Sequence, residues 1–254
     1  MTRKFEVRWE GGLAASPSQA WDAITARTAG WLWKIEYEPR LGGTERGLSD
    51  SGGTVTAWEP HRRFGTRAGT DDEVNELDYR IEPGLVGCHL RFVHRGVFAE
   101  DYARNLDACR QHTAFYYHSL GEYLRHFAGR DAAYVSADGP EPSGRDGFAT
   151  VRRALGLPSE VSAGDRVTLT PAGLPPVEGV VDYATPVFLG VRGADALYRF
   201  YGRDAWGWPV GVAHHLFADG VDEAAESAAW QGWLTAALST PAPSSPAVPT
   251  GAVA

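Results

Sequence analysis

Residues 75–98 read Asn-Glu-Leu-Asp-Tyr-Arg-Ile-Glu-Pro-Gly-Leu-Val-Gly-Cys-His-Leu-Arg-Phe-Val-His-Arg-Gly-Val-Phe, and a helical pattern follows over residues 101–127. Apolar and polar residues alternate on both sides of Pro83-Gly84, which predicts a β-hairpin with one buried face. In residues 101–127 apolar side chains recur every three or four positions, which predicts a long amphipathic helix. The members of that stripe are Leu106, Cys109, Thr113, Tyr116, Leu120, Leu124 and Phe127.

Upstream of the hairpin, the chain predicts one short helix and further strands. Ser16-Pro17-Ser18-Gln19 has a hydroxyl at the N-cap, proline at the first helical position and glutamine at the third. Alternation over residues 31–38 predicts a strand with Trp31, Trp33, Ile35 and Tyr37 on one face. The predicted order is therefore strand, helix, several antiparallel strands and a long closing helix.

The same order of elements recurs in the second half of the chain. Gly53-Thr-Val-Thr-Ala-Trp-Glu-Pro60 aligns with Gly179-Val-Val-Asp-Tyr-Ala-Thr-Pro186, with glycine and proline seven residues apart in both. We interpret the chain as a duplication, with domains at residues 1–130 and 131–238. Residues 239–254 are rich in proline, alanine and serine and are expected to form a disordered tail.

Composition limits the class of protein. The 254 residues suffice for two domains, and no apolar run approaches the roughly 20 residues of a membrane-spanning helix. The start of the chain does not resemble a secretory signal, and the two cysteines form no disulfide framework, so a cytoplasmic location is expected. The net charge of −8 comes mostly from residues 131–254, with 7 arginines against 14 acids, which disfavours nucleic acid as a partner.

Several strings in residues 5–127 are similar to one ligand-binding superfamily. They are residues 16–25, Pro39-Arg40-Leu41-Gly42-Gly43, Gly53-Thr54-Val55, Pro60-His61-Arg62-Arg63-Phe64, His94-Arg95-Gly96-Val97-Phe98 and Leu120-Gly121-Glu122-Tyr123-Leu124. In this order they resemble the SRPBCC superfamily, which includes START domains and polyketide cyclases, and within it the branch named for the C-terminal domain of the Hsp90 ATPase activator.

The resemblance implies an α+β helix-grip fold of the START/Bet v 1-like kind. A curved antiparallel sheet would wrap a long C-terminal helix and leave a cavity between them, in two tandem copies. Members of the superfamily mostly lack a shared catalytic motif. The second copy departs from the pattern because it has no Pro-Arg-Leu-Gly-Gly string and because Gly156-Leu157-Pro158 ends its first helix early.

Twenty-nine aromatic residues could form plain core or could line such a cavity. Six residues share a face with apolar neighbours at the proper period and are the predicted ligand contacts: Trp33, Tyr79, Phe92, His94, Thr113 and Tyr116. Of these, His94 could bind a ligand or act as a general base, or could be a core histidine.

Other clusters indicate little chemistry. His118, Glu122 and His126 share a helix face, which we interpret as a solvated surface and not as a metal site. His214 and His215 are adjacent on a strand and point to opposite sides. Cys109 and His112 could form a nucleophilic pair, but no orienting third group is evident. No cofactor or metal is predicted.

The expected function is non-catalytic binding of a small hydrophobic or amphipathic molecule. Two alternatives stay open at this point. One is a cyclase or hydrolase using His94 or Asp78 as an acid or base. The other is a protein-interaction module associated with a chaperone, in which Trp206 and Trp208 would form a contact patch.

Overall fold

The computed structural model describes residues 2–49, 51–70, 74–141, 143 and 146–239. Apart from Ser239, which ends a helix, the predicted tail at residues 239–254 lies outside the described residues. The described residues form two antiparallel sheets and four α-helices, an α+β architecture.

The first sheet has seven strands in the order β1-β7-β6-β5-β4-β3-β2. The strands are β1 (Arg3–Leu13), β2 (Glu36–Tyr37), β3 (Thr44–Arg46), β4 (Gly53–Glu59), β5 (Arg63–Ala68), β6 (Asn75–Pro83) and β7 (Cys88–Phe98). The predicted hairpin is confirmed, since Tyr79 lies opposite Phe92 and Ile81 lies opposite Leu90.

The second sheet has six strands in the order β8-β13-β12-β11-β10-β9. The strands are β8 (Ala133–Asp138), β9 (Arg166–Leu169), β10 (Val177–Ala184), β11 (Phe188–Arg192), β12 (Ala196–Tyr201) and β13 (Gly211–Leu216). In both sheets the strand that comes first in the chain pairs with the strand that comes last. The strands between them then follow in the reverse of their chain order.

The helices are α1 (Pro17–Thr25), α2 (Tyr102–His126), α3 (Gly147–Ala154) and α4 (Glu223–Ser239). The start of α1 is confirmed as a capping box: Ser16 Oγ accepts from the Gln19 amide at 3.2 Å, and Gln19 Oε1 accepts from the Ser16 amide at 2.9 Å. Helix α3 ends before Gly156, whose φ of +75° suits glycine at a helix C-terminus. None of the described helices combines the length and apolar character needed to cross a membrane.

The strand predicted over residues 31–38 is wrong except at its end. Residues Thr28–Gly30 form a 3-10 turn, and only Glu36–Tyr37 pairs into the sheet. Local hydrogen bonds hold the segment instead: the Trp31 indole donates to Ala23 O of α1 at 2.9 Å, and the Ile35 amide donates to Thr28 Oγ1 of the 3-10 turn at 2.9 Å. The buried side chains of this segment, Trp31, Leu32 and Ile35, do not alternate with exposed ones as they would in a strand.

Helix α2 packs between the two sheets and is buried on two sides. Its residues Tyr117, Leu120 and Leu124 join the core of the first sheet. On another side Ala108 and Phe115 pack with side chains of the second sheet, namely Phe188, Tyr201 and Ala213. The opposite face of the second sheet carries α3 and α4 in a separate core. The chain is therefore layered as sheet, helices, sheet, helices.

A buried polar network joins α2 to the second sheet. The side chain of Arg199 has no exposed surface, and its Nε donates to Ser119 Oγ at 2.7 Å while Nη1 donates to Asp182 Oδ1 at 3.0 Å. His118 Nε2 donates to the other oxygen of Asp182 at 2.9 Å. Arg199 lowers the pKa of the Asp182 carboxyl against the opposing effect of burial, which is the largest single influence on it.

The interpretation of His118, Glu122 and His126 as a solvated face is wrong. Glu122 is buried and accepts from Arg192 Nε at 2.9 Å, and His118 contacts Asp182. The helical pattern could not show this, since the covering strands are some 60–75 residues further along the chain. Polar residues on that face therefore serve the packing of the second sheet.

Replacing Arg199 with methionine should lower the free energy of unfolding by about 3–5 kcal/mol, because Asp182 would keep its buried charge with less compensation. Urea unfolding followed by circular dichroism measures this. Arg125→Met is the control: Arg125 pairs with Glu122 but is 56% exposed, so its loss should cost under about 1 kcal/mol. Equal losses in the two variants would contradict a structural role for the network.

Candidate ligand site at the seam between the two halves

The space between the first sheet and α2 contains a chain of aromatic rings in contact. Tyr117 of α2 stacks on Trp9 at 4.6 Å between ring centroids and lies 4.7 Å from Phe92. Phe92 lies 4.9 Å from Tyr79, and Tyr79 lies 5.6 Å from Phe64. Such distances are those of packed aromatic pairs, so these side chains fill the centre of the half.

Two of the six predicted contacts, Tyr79 and Phe92, belong to this packed set and are buried. Burial raises the pKa of Tyr79 to about 12, and its hydroxyl interacts with that of Tyr117, which lowers the value in part. Their assignment as ligand contacts stays a prediction; in the structure their neighbours are other aromatic side chains of the same half.

Two further predicted contacts, His94 and Thr113, meet at Cys109. His94 Nε2 donates to Asn75 Oδ1 at 2.9 Å, which leaves Nδ1 to accept from the Cys109 thiol at 3.4 Å. Burial lowers the pKa of His94 to about 4. Burial also raises the pKa of Cys109 to about 11, against a hydrogen bond with Thr113 that lowers it.

The structure therefore pairs Cys109 with His94 and not with His112, which contacts Ala108 O at 2.8 Å. Asn75 supplies the third group that the sequence did not reveal. The pKa values keep the thiol and the imidazole neutral near pH 7, whereas a reactive cysteine needs a thiolate. Cys109, His94 and Asn75 form a satisfied hydrogen-bond chain and not an activated nucleophile.

Asp78, the other acid considered for catalysis, lies on the opposite face of the first sheet. It pairs with Arg63 at 3.1 Å and with Arg80 at 3.6 Å. Since successive residues of a strand point to opposite faces, Asp78 cannot share a cavity with its neighbour Tyr79. Among the described residues no three His, Cys, Asp or Glu side chains are grouped to hold a metal ion.

The remaining two predicted contacts, Trp33 and Tyr116, border a pocket of about 210 Å³ between the two halves. We call it the seam pocket. Its lining consists of Leu32, Trp33, Tyr116, Tyr134, Ser136, Asp138, Tyr201, Arg203, Val212 and Ala213. Trp33 lies edge-on to Tyr116 at 5.9 Å, and its indole donates to Gly47 O at 2.6 Å. That bond orients the indole ring at the pocket wall.

Three phenol groups, from Tyr116, Tyr134 and Tyr201, lie close enough in the seam pocket to influence one another. Burial raises the pKa of Tyr134 to about 12 and raises the pKa of Tyr116 and of Tyr201 further. The charge of Arg203 lowers the pKa of each of them. Among the described residues, the hydroxyls of Tyr116 and Tyr201 have no hydrogen-bond partner.

Arg203 is the only cationic side chain among the described residues that line the seam pocket. Its Nη2 donates to Asp138 Oδ1 at 2.5 Å, and its guanidinium lies 5.6 Å from the centre of the Tyr201 ring. Arg203 Nε is buried and has no partner within the described part of the chain. The pocket thus combines aromatic walls with phenol hydroxyls and an arginine that is paired with Asp138.

The two tryptophans predicted as a contact patch are separated by burial. Trp206 is buried and its indole donates to Asp107 Oδ2 at 2.8 Å, while Trp208 is 37% exposed. Trp206 belongs to the layer between α2 and the second sheet, so a surface patch formed by both residues is wrong.

The sequence did not identify Tyr134, Tyr201, Arg203 or Asp138 as site residues. Tyr134 and Asp138 alternate along β8, so a common face was readable, but nothing local shows which partner covers it. The pocket needs side chains from both halves, and their relative placement is a tertiary property.

Comparisons with known proteins give matches of half the chain. No protein-family model matches, and no curated protein matches. Solved structures that are similar include protein MLL2253 from Mesorhizobium loti, with 22% identity and a TM-score of 0.42, covering 48% of this chain and 98% of that one.

Two further similar structures can be named. The Aha1 dimer from Colwellia psychrerythraea has 19% identity and a TM-score of 0.39, covering 47% of this chain and 96% of that one. CalU16 from Micromonospora echinospora has 18% identity and a TM-score of 0.39, covering 48% and 76%. None of the three assigns a ligand, a reaction or a partner to this chain.

Substituting Phe92 by alanine should lower the free energy of unfolding by about 3–5 kcal/mol, since a packed ring would be replaced by a void. Trp33→Ala should cost clearly less, because Trp33 is only half-buried at the pocket wall. Thermal and urea unfolding of both variants test this. If Phe92→Ala folded with unchanged stability, the ring chain could not be the core of the first half.

Acidification should destabilise the protein partly through His94. Its folded pKa of about 4 lies below the unfolded value near 6.5, so the unfolded chain binds the proton first as the pH falls. The stability that the neutral ring contributes is complete above about pH 6.5 and is lost towards pH 4. Urea midpoints between pH 7.5 and 4.5 measure the slope.

His94→Gln should flatten that pH dependence, because glutamine does not titrate. His89→Gln is the matched control, since His89 lies on the other face of the same strand. A slope that is the same in wild type and His94→Gln would show that His94 is not buried as a neutral ring.

Proposed function

We propose that this chain is a non-catalytic binding protein for a small amphipathic molecule, held in the seam pocket. The observation that supports the proposal is the convergence of Trp33, Tyr116, Tyr134 and Tyr201 around Arg203 in one pocket. Aromatic walls with a few convergent polar groups are the usual composition of small-molecule sites.

The polar groups of the pocket suit an oxygen-rich or anionic head group. Phenols whose pKa is raised stay protonated near neutral pH and can donate hydrogen bonds. Arg203, whose Nη2 is bound to Asp138, adds a guanidinium and a buried N–H without a partner among the described residues. A carboxylate could accept from these donors at once, and charge-assisted bonds of this kind are the stronger ones.

The size of the pocket restricts the ligand. A volume of about 210 Å³ corresponds to the share of roughly seven water molecules in the liquid. A single aromatic ring with two small polar substituents fits that volume, with the ring against Trp33 and Tyr116. A bulky polycyclic ligand would require the two halves to move apart.

Binding without reaction is favoured by the protonation states. The raised pKa values of the three tyrosines make them poor bases near pH 7, and the neutral Cys109–His94 pair lies outside the lining of the pocket. The described lining contains no histidine and no cysteine. Its one carboxylate, Asp138, is bound to Arg203, so the cyclase or hydrolase alternative finds neither His94 nor Asp78 in this pocket.

We also infer that the two halves are divergent copies of one helix-grip unit, residues 1–130 and 131–238. Their strand orders correspond, and each contains a register shift at aligned positions, between Val55 and Ala57 and between Val181 and Tyr183. The two copies also share a backbone hydrogen bond from a preceding loop: Val55 O accepts from Gly42 N, and Val181 O accepts from Gly164 N. Agreement in such irregular details supports duplication better than strand order alone.

The binding proposal is tested with 4-hydroxybenzoate, followed by ¹H–¹⁵N NMR at the indole signal of Trp33. Binding should shift that signal, and 4-hydroxybenzyl alcohol, which lacks the charge, should bind about tenfold or more weakly. Arg203→Met should weaken 4-hydroxybenzoate binding by a similar factor, because it removes the cation.

Arg153→Met is the matched control, since Arg153 is an exposed arginine of α3 and does not line the pocket. It should leave the affinity unchanged, and thermal unfolding should show that both variants fold. Equal binding by wild type and Arg203→Met, or no shift of the Trp33 signal, would refute the proposed site.

A further inference from the structure

A larger groove of about 730 Å³ lies beside the seam pocket and shares Tyr134 with it. We call it the acidic groove. It runs between α1 with the strands β2 and β4 on one side, and the start of β8 and of α4 on the other. Its volume falls within the range of about 300–1,000 Å³ that is typical of ligand sites.

Aromatic side chains form much of the apolar lining of the acidic groove. They are Trp21, Tyr37, Trp58 and Tyr134. Trp21 and Trp58 meet edge-to-face at 5.0 Å, and Trp58 and Tyr37 are half-buried. Aromatic faces of this kind attract cations, because the ring quadrupole is negative above the ring.

The charged residues of the acidic groove leave an excess of negative charge. Four carboxylates line it against two basic side chains. Arg27 is shared by Asp22, at 2.7 Å, and Asp131. The other basic side chain, Lys34, lies 3.6 Å from Glu36. Both basic residues of the lining therefore pair with other carboxylates, and Glu223 has no basic partner among the described residues. Glu223 Oε1 accepts only from the Tyr134 amide, at 3.3 Å.

A buried acceptor stands behind the wall of the groove. His215 is buried, its Nδ1 donates to Ala29 O at 2.7 Å, and its ring lies 5.7 Å from that of Tyr134. Ala29 and Tyr134 are both lining residues. With Nδ1 as the donor, the Nε2 of the neutral ring is an acceptor, and no described residue donates to it.

We propose that the acidic groove is a second binding site, specific for an organic ammonium ion with an aromatic or apolar body. The body packs against Trp58 and Tyr37, and the ammonium group lies near Glu223 and Asp131. The excess of negative charge and the aromatic surface both favour an organic cation. This site is independent of the proposed function of the seam pocket, which takes an anionic head group.

The test uses phenethylamine and its neutral counterpart 2-phenylethanol, titrated into the full chain and followed by NMR at the indole signals of Trp58 and Trp21. Trp58→Phe assigns the first of these signals. Phenethylamine should shift both signals. 2-Phenylethanol should bind at least about threefold more weakly than the amine, and 0.5 M NaCl should lower the affinity for phenethylamine.

The double variant Asp131→Asn with Glu223→Gln should weaken phenethylamine binding about three- to tenfold, as expected for two exposed charge contacts. Glutamine can still accept from the Tyr134 amide, so the fold is retained. Glu226→Gln, one turn later on α4 and outside the lining, is the control and should change nothing.

Three results would overturn the proposal: equal binding of the alcohol and the amine, unchanged affinity in the double variant, or signal changes at Trp33 in place of Trp58. Arg203→Met separates the two sites, because it should weaken 4-hydroxybenzoate and leave phenethylamine unaffected. Failure at one site is thereby distinguishable from failure at the other.

Discussion

The guanidinium of Arg199 is the contact on which the packing of the two halves depends. A charged group with no exposed surface is tolerated only when other groups compensate it. Here Ser119 accepts from Nε and Asp182 from Nη1, while Nη2 has no partner among the described residues. Ser119 belongs to α2 and Asp182 to the second sheet, so satisfying one arginine joins the two elements. His118 and the Glu122–Arg192 pair extend the same layer along the helix. The second sheet can lie on α2 in this arrangement only with these partners in register.

Covering α2 on its second side changes where a ligand site can be. In the first half the space between the sheet and the helix holds the rings of Trp9, Tyr117, Phe92 and Tyr79. The seam pocket between the halves instead contains phenol groups and Arg203, whose Nε has no partner among the described residues. The acidic groove beside it is lined by more carboxylates than basic side chains. Among the described residues, the boundary of the two halves is therefore a region in which open space lies beside an unpartnered polar group, Arg203 Nε.

Local sequence patterns predicted the elements well where the side chains that decide them are neighbours in the chain. The hairpin of residues 75–98, the capping box at Ser16 and the helix over residues 102–126 depend on periodicity and on contacts within four residues. The prediction for residues 31–38 failed because the contacts that decide this segment lie further apart in the chain. Alternating aromatic residues favoured a strand, whereas hydrogen bonds from Trp31 to Ala23 and from Ile35 to Thr28 hold the segment in another conformation.

The sequence by itself determined the α+β class and the general order of strands and helices in both halves. It also showed that 29 aromatic residues are available for the core or for a pocket. Trp33 and Tyr116 were predicted as ligand contacts because each shares a face with apolar residues at the proper spacing, and both border the seam pocket. Only the tertiary structure decided that His94 pairs with Cys109 and Asn75, that His118 and Glu122 are covered, and that Tyr134, Tyr201 and Arg203 complete a pocket. The physical reason is distance along the chain: His94 and Cys109 are 15 positions apart, and the seam pocket unites residues as distant as Trp33 and Arg203. No local period records which face of one half will meet the other.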